Sequence, residues 1–226
     1  EEGKLIRKAF VPEYDYLISF DYSQIELRVL AHLANVTSLI QAFNENKDIH
    51  RHTASVVFGV SEDEVTSTMR RNAKAVNFGI IYGMSDYGLA EQLGVTVKEA
   101  KSFIEKYFEK YAEIKEYMNK SIAFGKENGY VSTVLNRKRY IPEINEKNYM
   151  RQEFGKRLAM NSPIQGSAAD IIKLAMIKVD QLLKENHMKS KMILQVHDEL
   201  IFDVYEDELE QMMKLVQTGM ESAYQM

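Results

Sequence analysis

DYLISFDYSQIELR, residues 15–28, joins a short apolar run to a helical pattern. Residues 16–20 have the length and composition of a buried strand, and Ser23 is a candidate N-cap for a helix over residues 24–34. Asp21 therefore stands where a strand ends and a helix begins. A carboxylate in that place is costly unless it is paired, hydrogen-bonded or bound to a cation. Taken alone, Asp21 is more typical of an ordinary turn or capping residue.

A second carboxylate site lies between two apolar runs late in the chain. Residues 191–196 and 200–205 predict the strands of a hairpin, and residues 197–199 (HDE) connect them. Hairpin tips are normally rich in glycine or asparagine, and adjacent carboxylates repel each other unless water or a cation neutralises them. If the strand before Asp21 lies beside this hairpin, Asp21 and Asp198 can hold hard cations through oxygen. An exposed acidic turn is the alternative.

Composition indicates a soluble globular protein with one large domain or two small ones. The chain has 226 residues, 45% hydrophobic and 27% charged. No apolar run approaches the roughly 20 residues of a membrane helix, so we expect no membrane partner. The absence of cysteine excludes disulfides and thiolate metal sites, which fits a cytoplasmic location. Because the first residue is Glu1, we expect an excerpt of a longer polypeptide.

The net charge of −4 argues against nucleic acid on its own. The basic residues are clustered, however, at residues 70–74, 137–139 and 151–157. A local basic track on an acidic protein can bind nucleic acid, although such clusters are often solvated helix faces.

The order of elements indicates an α+β fold, because strands flank a long helical stretch instead of alternating with helices. After an irregular segment and the first strand, helices are predicted over residues 24–34, 38–44, 49–58, 61–82, 85–93, 96–126, 149–161, 166–185 and 207–223. A small hairpin is predicted over residues 131–134 and 139–141, and a helix break at residues 162–163.

Residues 70–83, RRNAKAVNFGIIYG, place two cations and two aromatic rings along one helix face. Arg70, Lys74 and Phe78 are spaced by four, and Tyr82 continues the series. Cations one turn apart followed by rings suit a nucleoside triphosphate, with phosphates on the cations and a ring on the sugar or base. An amphipathic helix with its rings in the core is the alternative.

Residues 157–170, RLAMNSPIQGSAAD, repeat the spacing of four with polar side chains. Arg157, Asn161 and Gln165 can donate to minor-groove acceptors and sugars. Polar capping around Pro163 explains them equally well.

These stretches, in this order, resemble the polymerase motifs of family A DNA polymerases. Residues 21–28 resemble motif A, residues 70–83 motif B, and HDE within QVHDE motif C. The resemblance covers nearly the whole chain. It implies a small antiparallel palm sheet with flanking helices and a helical fingers insertion. The implied palm covers residues 1–33 and 147–226 and the fingers residues 34–146, with thumb and exonuclease regions absent.

The resemblance also implies roles for particular residues. Two Mg²⁺ ions would be held by Asp21, Asp198 and the backbone carbonyl of Tyr22, with Glu199 in support. Lys74 would also protonate the leaving pyrophosphate, and Glu26 would be the steric gate against a 2′-hydroxyl. The expected nucleotide contacts are Tyr22, Gln24, Glu26, His50, Arg70, Lys74, Phe78 and Tyr82. The expected DNA contacts in the minor groove are Arg157, Asn161, Gln165 and His197.

The implied activity is DNA-directed DNA synthesis in replication and repair by a monomer. Its partners would be primer-template DNA and deoxynucleoside triphosphates. Asn136 stands where the family usually has glycine, and we expect the turn to survive because asparagine tolerates positive φ. Two other functions stay open: a nucleotide- or nucleic-acid-binding module without catalysis, since a thumb is lacking, and a two-metal nuclease.

Overall fold

The computed structural model of the chain describes residues 6–226, apart from the side chain of Arg7. The first five residues of the predicted irregular segment lie outside this part. The remainder of that segment holds a 3₁₀ helix, Ile6–Ala9, before the first strand. No helix within residues 6–226 has the length and apolar character needed to cross a membrane.

The described residues form five strands and nine α-helices. The strands are β1 (Tyr16–Asp21), β2 (Tyr130–Ser132), β3 (Lys138–Tyr140), β4 (Lys191–Val196) and β5 (Glu199–Val204). The helices are α1 (Ile25–Leu33), α2 (Thr37–Asn44), α3 (Ile49–Phe58), α4 (Ser67–Ile81), α5 (Asp86–Leu93), α6 (Val97–Lys110), α7 (Ala112–Asn128), α8 (Tyr149–Glu185) and α9 (Leu209–Glu221). Further 3₁₀ helices cover Glu62–Glu64, Pro142–Asn145 and Glu206–Glu208.

The chain divides into two compact units. Among the described residues, the first combines residues 6–25 with residues 168–226, and the second is residues 26–167. The first contains an antiparallel sheet in the order β1-β5-β4, and the second contains helices and the hairpin β2–β3. The predicted α+β class, with a small antiparallel sheet and flanking helices, is confirmed.

The core of the first unit lies between β5 and the helices α8 and α9. Leu200, Phe202 and Val204 are fully buried in one cluster with residues of both helices, and the Phe20 ring meets Phe202 edge-on at 5.4 Å. The expectation that β1 is a buried strand is wrong. Ile18 and Phe20 alternate as half-buried residues and the other residues of β1 are exposed, because only one face of the strand meets the core.

In the second unit, α3 has the predicted bounds. Its C-terminus is set by Gly59, which adopts the left-handed conformation at φ 70°. Its N-terminus is capped by Asp48, whose side chain accepts hydrogen bonds from the backbone N–H groups of His50 and Arg51.

Two predicted helices are each divided. The Ser61–Glu64 capping box forms, but it starts only a 3₁₀ turn, and Val65 is extended before Thr66 caps α4. Residues 96–126 contain a break at Tyr111, with φ −118° and ψ 62°. The Tyr111 ring is fully buried against Tyr107, so tertiary burial of this ring accompanies a break that helix propensity does not predict.

The predicted break at residues 162–163 is wrong, because α8 runs through Pro163 without interruption. A proline inside a helix costs about 3 kcal/mol. The turns on both sides are held by burial, since Ala159 and Ile164 are fully buried, and the Ser167 hydroxyl donates to the Pro163 carbonyl at 2.6 Å. Burial of the flanking turns offsets the loss of one backbone hydrogen bond.

The hairpin β2–β3 is confirmed, within two residues of the predicted bounds. Asn136 lies in its turn at φ 59°, as expected for an asparagine in place of glycine. The final helix is shorter than predicted, because residues 206–208 form a 3₁₀ turn before α9 begins.

Gly155 on α8 is a position where only glycine fits. A Cβ there would lie 2.4 Å from the backbone nitrogen of Ile144 and 2.6 Å from its Cα. We expect Gly155→Ala to lower the free energy of unfolding by about 2 kcal/mol or more, although alanine favours helices. Urea denaturation of the chain measures this change.

The matched control is Gly79→Ala on α4. There the nearest atom to a new Cβ is the sulfur of Met84 at 3.5 Å, an ordinary van der Waals distance. Gly79→Ala should leave stability unchanged or raise it, and equal stability of the two variants would contradict the prediction.

Candidate active site

Carboxylates from both ends of the chain meet at one edge of the β1-β5-β4 sheet. In the antiparallel register Asp21 is opposite Glu199, and the backbone N–H of Tyr22 donates to the carbonyl of Asp198 at 3.2 Å. His197 and Asp198 form a two-residue turn, with His197 at φ 53°. Asp21, Asp198 and Glu199 therefore lie at one sheet edge, and β1 lies beside the hairpin, which is the condition that the sequence analysis set for a site shared by the two aspartates.

This edge is electrostatically unfavourable for unneutralised acids. Partial burial, followed by the negative charges of Asp198 and Glu199, raises the pKa of the Asp21 carboxyl above its ordinary value. The Ser19 hydroxyl donates to the carboxylate of Glu199. Ser19 was not predicted, although it lies two residues before Asp21 and therefore on the same face of β1.

The donor chemistry of this edge fits a hard divalent cation. Its side chains offer carboxylate oxygens, which Mg²⁺ prefers, and the raised pKa of Asp21 indicates that a nearby positive charge would be favourable. Among residues 6–226, no three or more His, Cys, Asp or Glu side chains are gathered into a ready-made metal cage. The backbone carbonyl of Tyr22 is a further oxygen at the same strand end.

Tyr22 and Gln24, which follow Asp21 in the first unit, have well-defined surroundings. The Tyr22 phenol donates to the carbonyl of Met220 at 2.6 Å, and burial raises the pKa of Tyr22 to about 12. Gln24 adopts φ 56° between β1 and α1. Its buried Oε1 meets no hydrogen-bond donor among the described residues, so it could accept a hydrogen bond from a ligand.

In the second unit, α4 presents the predicted series of cations and rings. Lys74 is exposed, Arg70 and Phe78 are half-buried, and the Lys74 nitrogen lies 5.9 Å from the centre of the Phe78 ring. Tyr82 follows the last helical residue, and its hydroxyl donates to Glu26 at 2.9 Å. Neither the Phe78 ring nor the Tyr82 ring is fully buried, so this face of α4 does not simply pack into the core.

His50 lies beside this face of α4. It is 3% exposed, and its ring centre is 6.0 Å from that of Phe78. Burial first, and then the positive charges of Arg70 and Lys74, lower the pKa of His50 to about 4. His50 is therefore a neutral imidazole near pH 7.

Two residues that contact the predicted nucleotide-binding side chains were not predicted from the sequence. Asp48 accepts a hydrogen bond from Nε of Arg70 at 2.6 Å, and Asn77 lies 3.0 Å from Nδ1 of His50. Asp48 precedes a predicted helix start, which is a signal for an N-cap. The pairing with Arg70 depends on how α3 packs against α4, which the local pattern does not show.

The predicted DNA contacts on α8 lie on a continuous helix, so their spacing of four keeps Arg157, Asn161 and Gln165 near one face. Arg157 and Gln165 are exposed. The amide nitrogen of Asn161 is 3.5 Å from the Ile81 carbonyl, a long contact at the end of α4. A Cβ on Gly83 would lie 2.7 Å from Met160, so the chain after α4 passes close to α8.

His197, the remaining predicted DNA contact, is exposed at the β4–β5 turn. Its backbone carbonyl accepts a hydrogen bond from the Gln195 side chain at 2.6 Å. His197 and Asp198 thus share the turn at this sheet edge.

Comparison with known proteins identifies the family of the chain. The family model "DNA polymerase family A" matches residues 1–226. The chain belongs to DNA polymerase family A, as its motifs had indicated.

Two individual relatives and one solved structure also match the chain. The chain is 56% identical over 224 residues to the DNA polymerase I of Caldicellulosiruptor bescii and 56% identical over 225 residues to that of Bacillus subtilis. Each match covers 99% of this chain and 26% of the relative, so the chain spans about a quarter of their length. The POL domain of Pol1 from M. smegmatis, solved in complex with DNA primer-template and dNTP, superimposes with a TM-score of 0.95 at 46% identity. That match covers 100% of this chain and 40% of the solved one.

Proposed function

We propose that this chain carries the palm and fingers of a DNA-directed DNA polymerase that acts in replication and repair. The palm is assigned to residues 1–33 and 147–226 and the fingers to residues 34–146. The observation that carries the proposal is the sheet register, which sets Asp21 opposite Glu199 and next to Asp198. Membership of DNA polymerase family A supports it.

Asp21, Asp198 and the carbonyl of Tyr22 would hold two Mg²⁺ ions, with Glu199 in support. The oxygen donors at this edge suit that ion. When bound, such ions activate the primer 3′-hydroxyl and neutralise charge on the phosphates. The protein's part is to fix the strand end, which the Tyr22–Met220 hydrogen bond helps to do.

The nucleotide would be received by side chains with different tasks. Arg70, Lys74 and His50 would donate to the triphosphate, and Phe78 would pack on the sugar. As the primer oxygen loses its proton to water and bonds to the α-phosphorus, the bond to pyrophosphate breaks and Lys74 gives a proton to the leaving oxygen. Gln24 and Tyr22 would complete the sugar contacts, and Tyr82 would abut the new base pair.

Primer-template DNA would be bound through the minor groove. Arg157, Asn161, Gln165 and His197 carry the donors that such contacts need, and Arg157, Gln165 and His197 are exposed. We propose that the protein works as a monomer on DNA.

Template-directed primer extension tests the proposal. We would replace the aligned segment of B. subtilis DNA polymerase I, which is 56% identical, with the present 226 residues. This chimera and the chain alone would each be given a labelled primer-template, Mg²⁺ and single dNTPs. We expect the chimera to add only the nucleotide that pairs with the template.

The same assay separates the other functions. A folded chimera without extension would contradict a catalytic role, and binding of dNTP by the chain without extension in either protein would favour a binding module. Shortening of the labelled DNA without added triphosphates would indicate a nuclease.

Glu26 is proposed to exclude ribonucleotides, because its carboxylate would occupy the space of a 2′-hydroxyl. In the chimera, Glu26→Ala should reduce the preference for dNTP over NTP in kcat/KM by about tenfold to a hundredfold. Competing incorporation of dCTP and CTP opposite template G measures this preference.

Tyr82→Phe is the matched control. It removes the hydroxyl that donates to Glu26 at 2.9 Å but keeps the bulk of the carboxylate. Most of the discrimination should remain in this variant. If Glu26→Ala leaves discrimination at its original value, the gate assignment is wrong.

A further inference from the structure

We propose that Asp48 and Asn77 are positioning residues that preassemble a phosphate-binding pair, the guanidinium of Arg70 and the imidazole of His50. The inference rests on the proposed function, since it concerns how these two side chains would receive the triphosphate.

Asp48 serves both members of the pair. Its Oδ1 accepts hydrogen bonds from the backbone N–H groups of His50 and Arg51, each at 3.1 Å, and its Oδ2 accepts from Nε of Arg70 at 2.6 Å. Burial alone would raise the pKa of Asp48, but the Arg70 guanidinium and the Arg51 N–H outweigh burial and hold that pKa below its ordinary value. Asp48 therefore stays ionised and fixes both His50 and Arg70.

The choice of Nε as the bonded atom matters for phosphate binding. A guanidinium is planar, and its N–H groups form a rigid fork. With Nε held by Asp48, the orientation of the two terminal nitrogens is set, and they can donate side by side to phosphate oxygens. A substrate then meets an oriented fork instead of a long mobile side chain.

Asn77 orients the imidazole of His50, as Asp48 orients the guanidinium of Arg70. The Thr53 hydroxyl donates to Oδ1 of Asn77 at 3.2 Å, which orients the buried amide so that its nitrogen faces Nδ1 of His50. An amide nitrogen is only a donor, so Nδ1 must accept. A neutral imidazole then carries its hydrogen on Nε2, and Nε2–H is left as the donor for a phosphate.

Preassembly lowers the entropy lost when the triphosphate binds. Loss of the Asp48–Arg70 bond should therefore weaken nucleotide binding although the Asp48 carboxylate, an anion, would not itself be a ligand of the phosphates. Asp48→Asn is the appropriate change, because asparagine caps helices as well as aspartate does, while its amide cannot match a charged acceptor for Arg70.

We expect Asp48→Asn to weaken binding of Mg²⁺-dATP to the chain by about tenfold or more, measured by titration calorimetry. Glu45→Gln is the matched control. It removes a nearby negative charge whose partners are Gln41 and Lys47 instead of Arg70, and it should bind dATP as the unaltered chain does.

A double-mutant cycle distinguishes positioning from a general structural effect. If Asp48 acts through Arg70, Asp48→Asn should cause little further loss in a chain that already carries Arg70→Ala. Full additivity of the two losses would overturn the proposal, as would unchanged binding by Asp48→Asn alone.

The role of Asn77 is tested without any variant of Asn77. Long-range ¹⁵N NMR reports the tautomer of each of the five histidines, and His50 is assigned from the signal that His50→Gln removes. We expect Nε2–H at neutral pH; an Nδ1–H tautomer or an imidazolium would overturn the assignment.

Failure of the unaltered chain to bind dATP would contradict the proposed function itself, whereas normal binding unaffected by Asp48→Asn would overturn only the positioning role of Asp48.

Discussion

Replacing Asp198 with asparagine is expected to lower the rate of template-directed synthesis about a thousandfold or more, with little change in dNTP binding. The carboxylate of Asp198 would be a direct cation ligand, and an amide of the same shape is a neutral, weaker one. Because the backbone carbonyl of Asp198 pairs with the N–H of Tyr22, the turn itself should survive the change. The rate constant for single-nucleotide addition by the chimera measures the effect.

The control for charge is Asp207→Asn. Asp207 is exposed in a 3₁₀ turn of the same unit, and its replacement by asparagine removes the same formal charge. The chimera with Asp207→Asn should extend primers at the original rate. A chimera with Asp198→Asn that adds nucleotides nearly as fast as the unaltered one would show that Asp198 is not a ligand.

The sequence predicted local structure best where its signals were local. The bounds of α3 follow from apolar periodicity that ends at Gly59, and the residue in the β2–β3 turn follows from the tolerance of Asn136 for positive φ. Helix interruptions were harder. Burial of Tyr111 accompanies a break without a proline, whereas burial around Pro163 keeps a helix intact. In both places tertiary burial overrides local propensity.

The candidate site was predictable in part. Spacing alone placed Arg70, Lys74 and Phe78 along one side of α4, and the apolar runs around Asp21 and Asp198 predicted the two strand ends. Pairing of those ends requires the register of β1 with β5, and that long-range contact was suggested by the chemistry of the two acids and by the family resemblance. Asp48 and Asn77 were missed because their partners become apparent only when α3 lies against α4.

Lys74 gives the second large expected effect, because it is proposed to do two things at once. Lys74→Ala should raise the KM for dNTP and lower kcat by about a hundredfold or more, since a general acid contributes a factor of about 10² to 10⁴. Lys98→Ala, which removes an exposed lysine from α6, is the control and should change neither constant.

Lys74→Arg separates the two roles of Lys74. Arginine keeps the positive charge and can bind phosphate, but it does not release its proton in proteins. The KM for dNTP should therefore return close to its original value while kcat stays low. Recovery of kcat by arginine would mean that Lys74 supplies charge alone, whereas an unrecovered KM would mean that the ammonium geometry, and not its charge, binds the triphosphate.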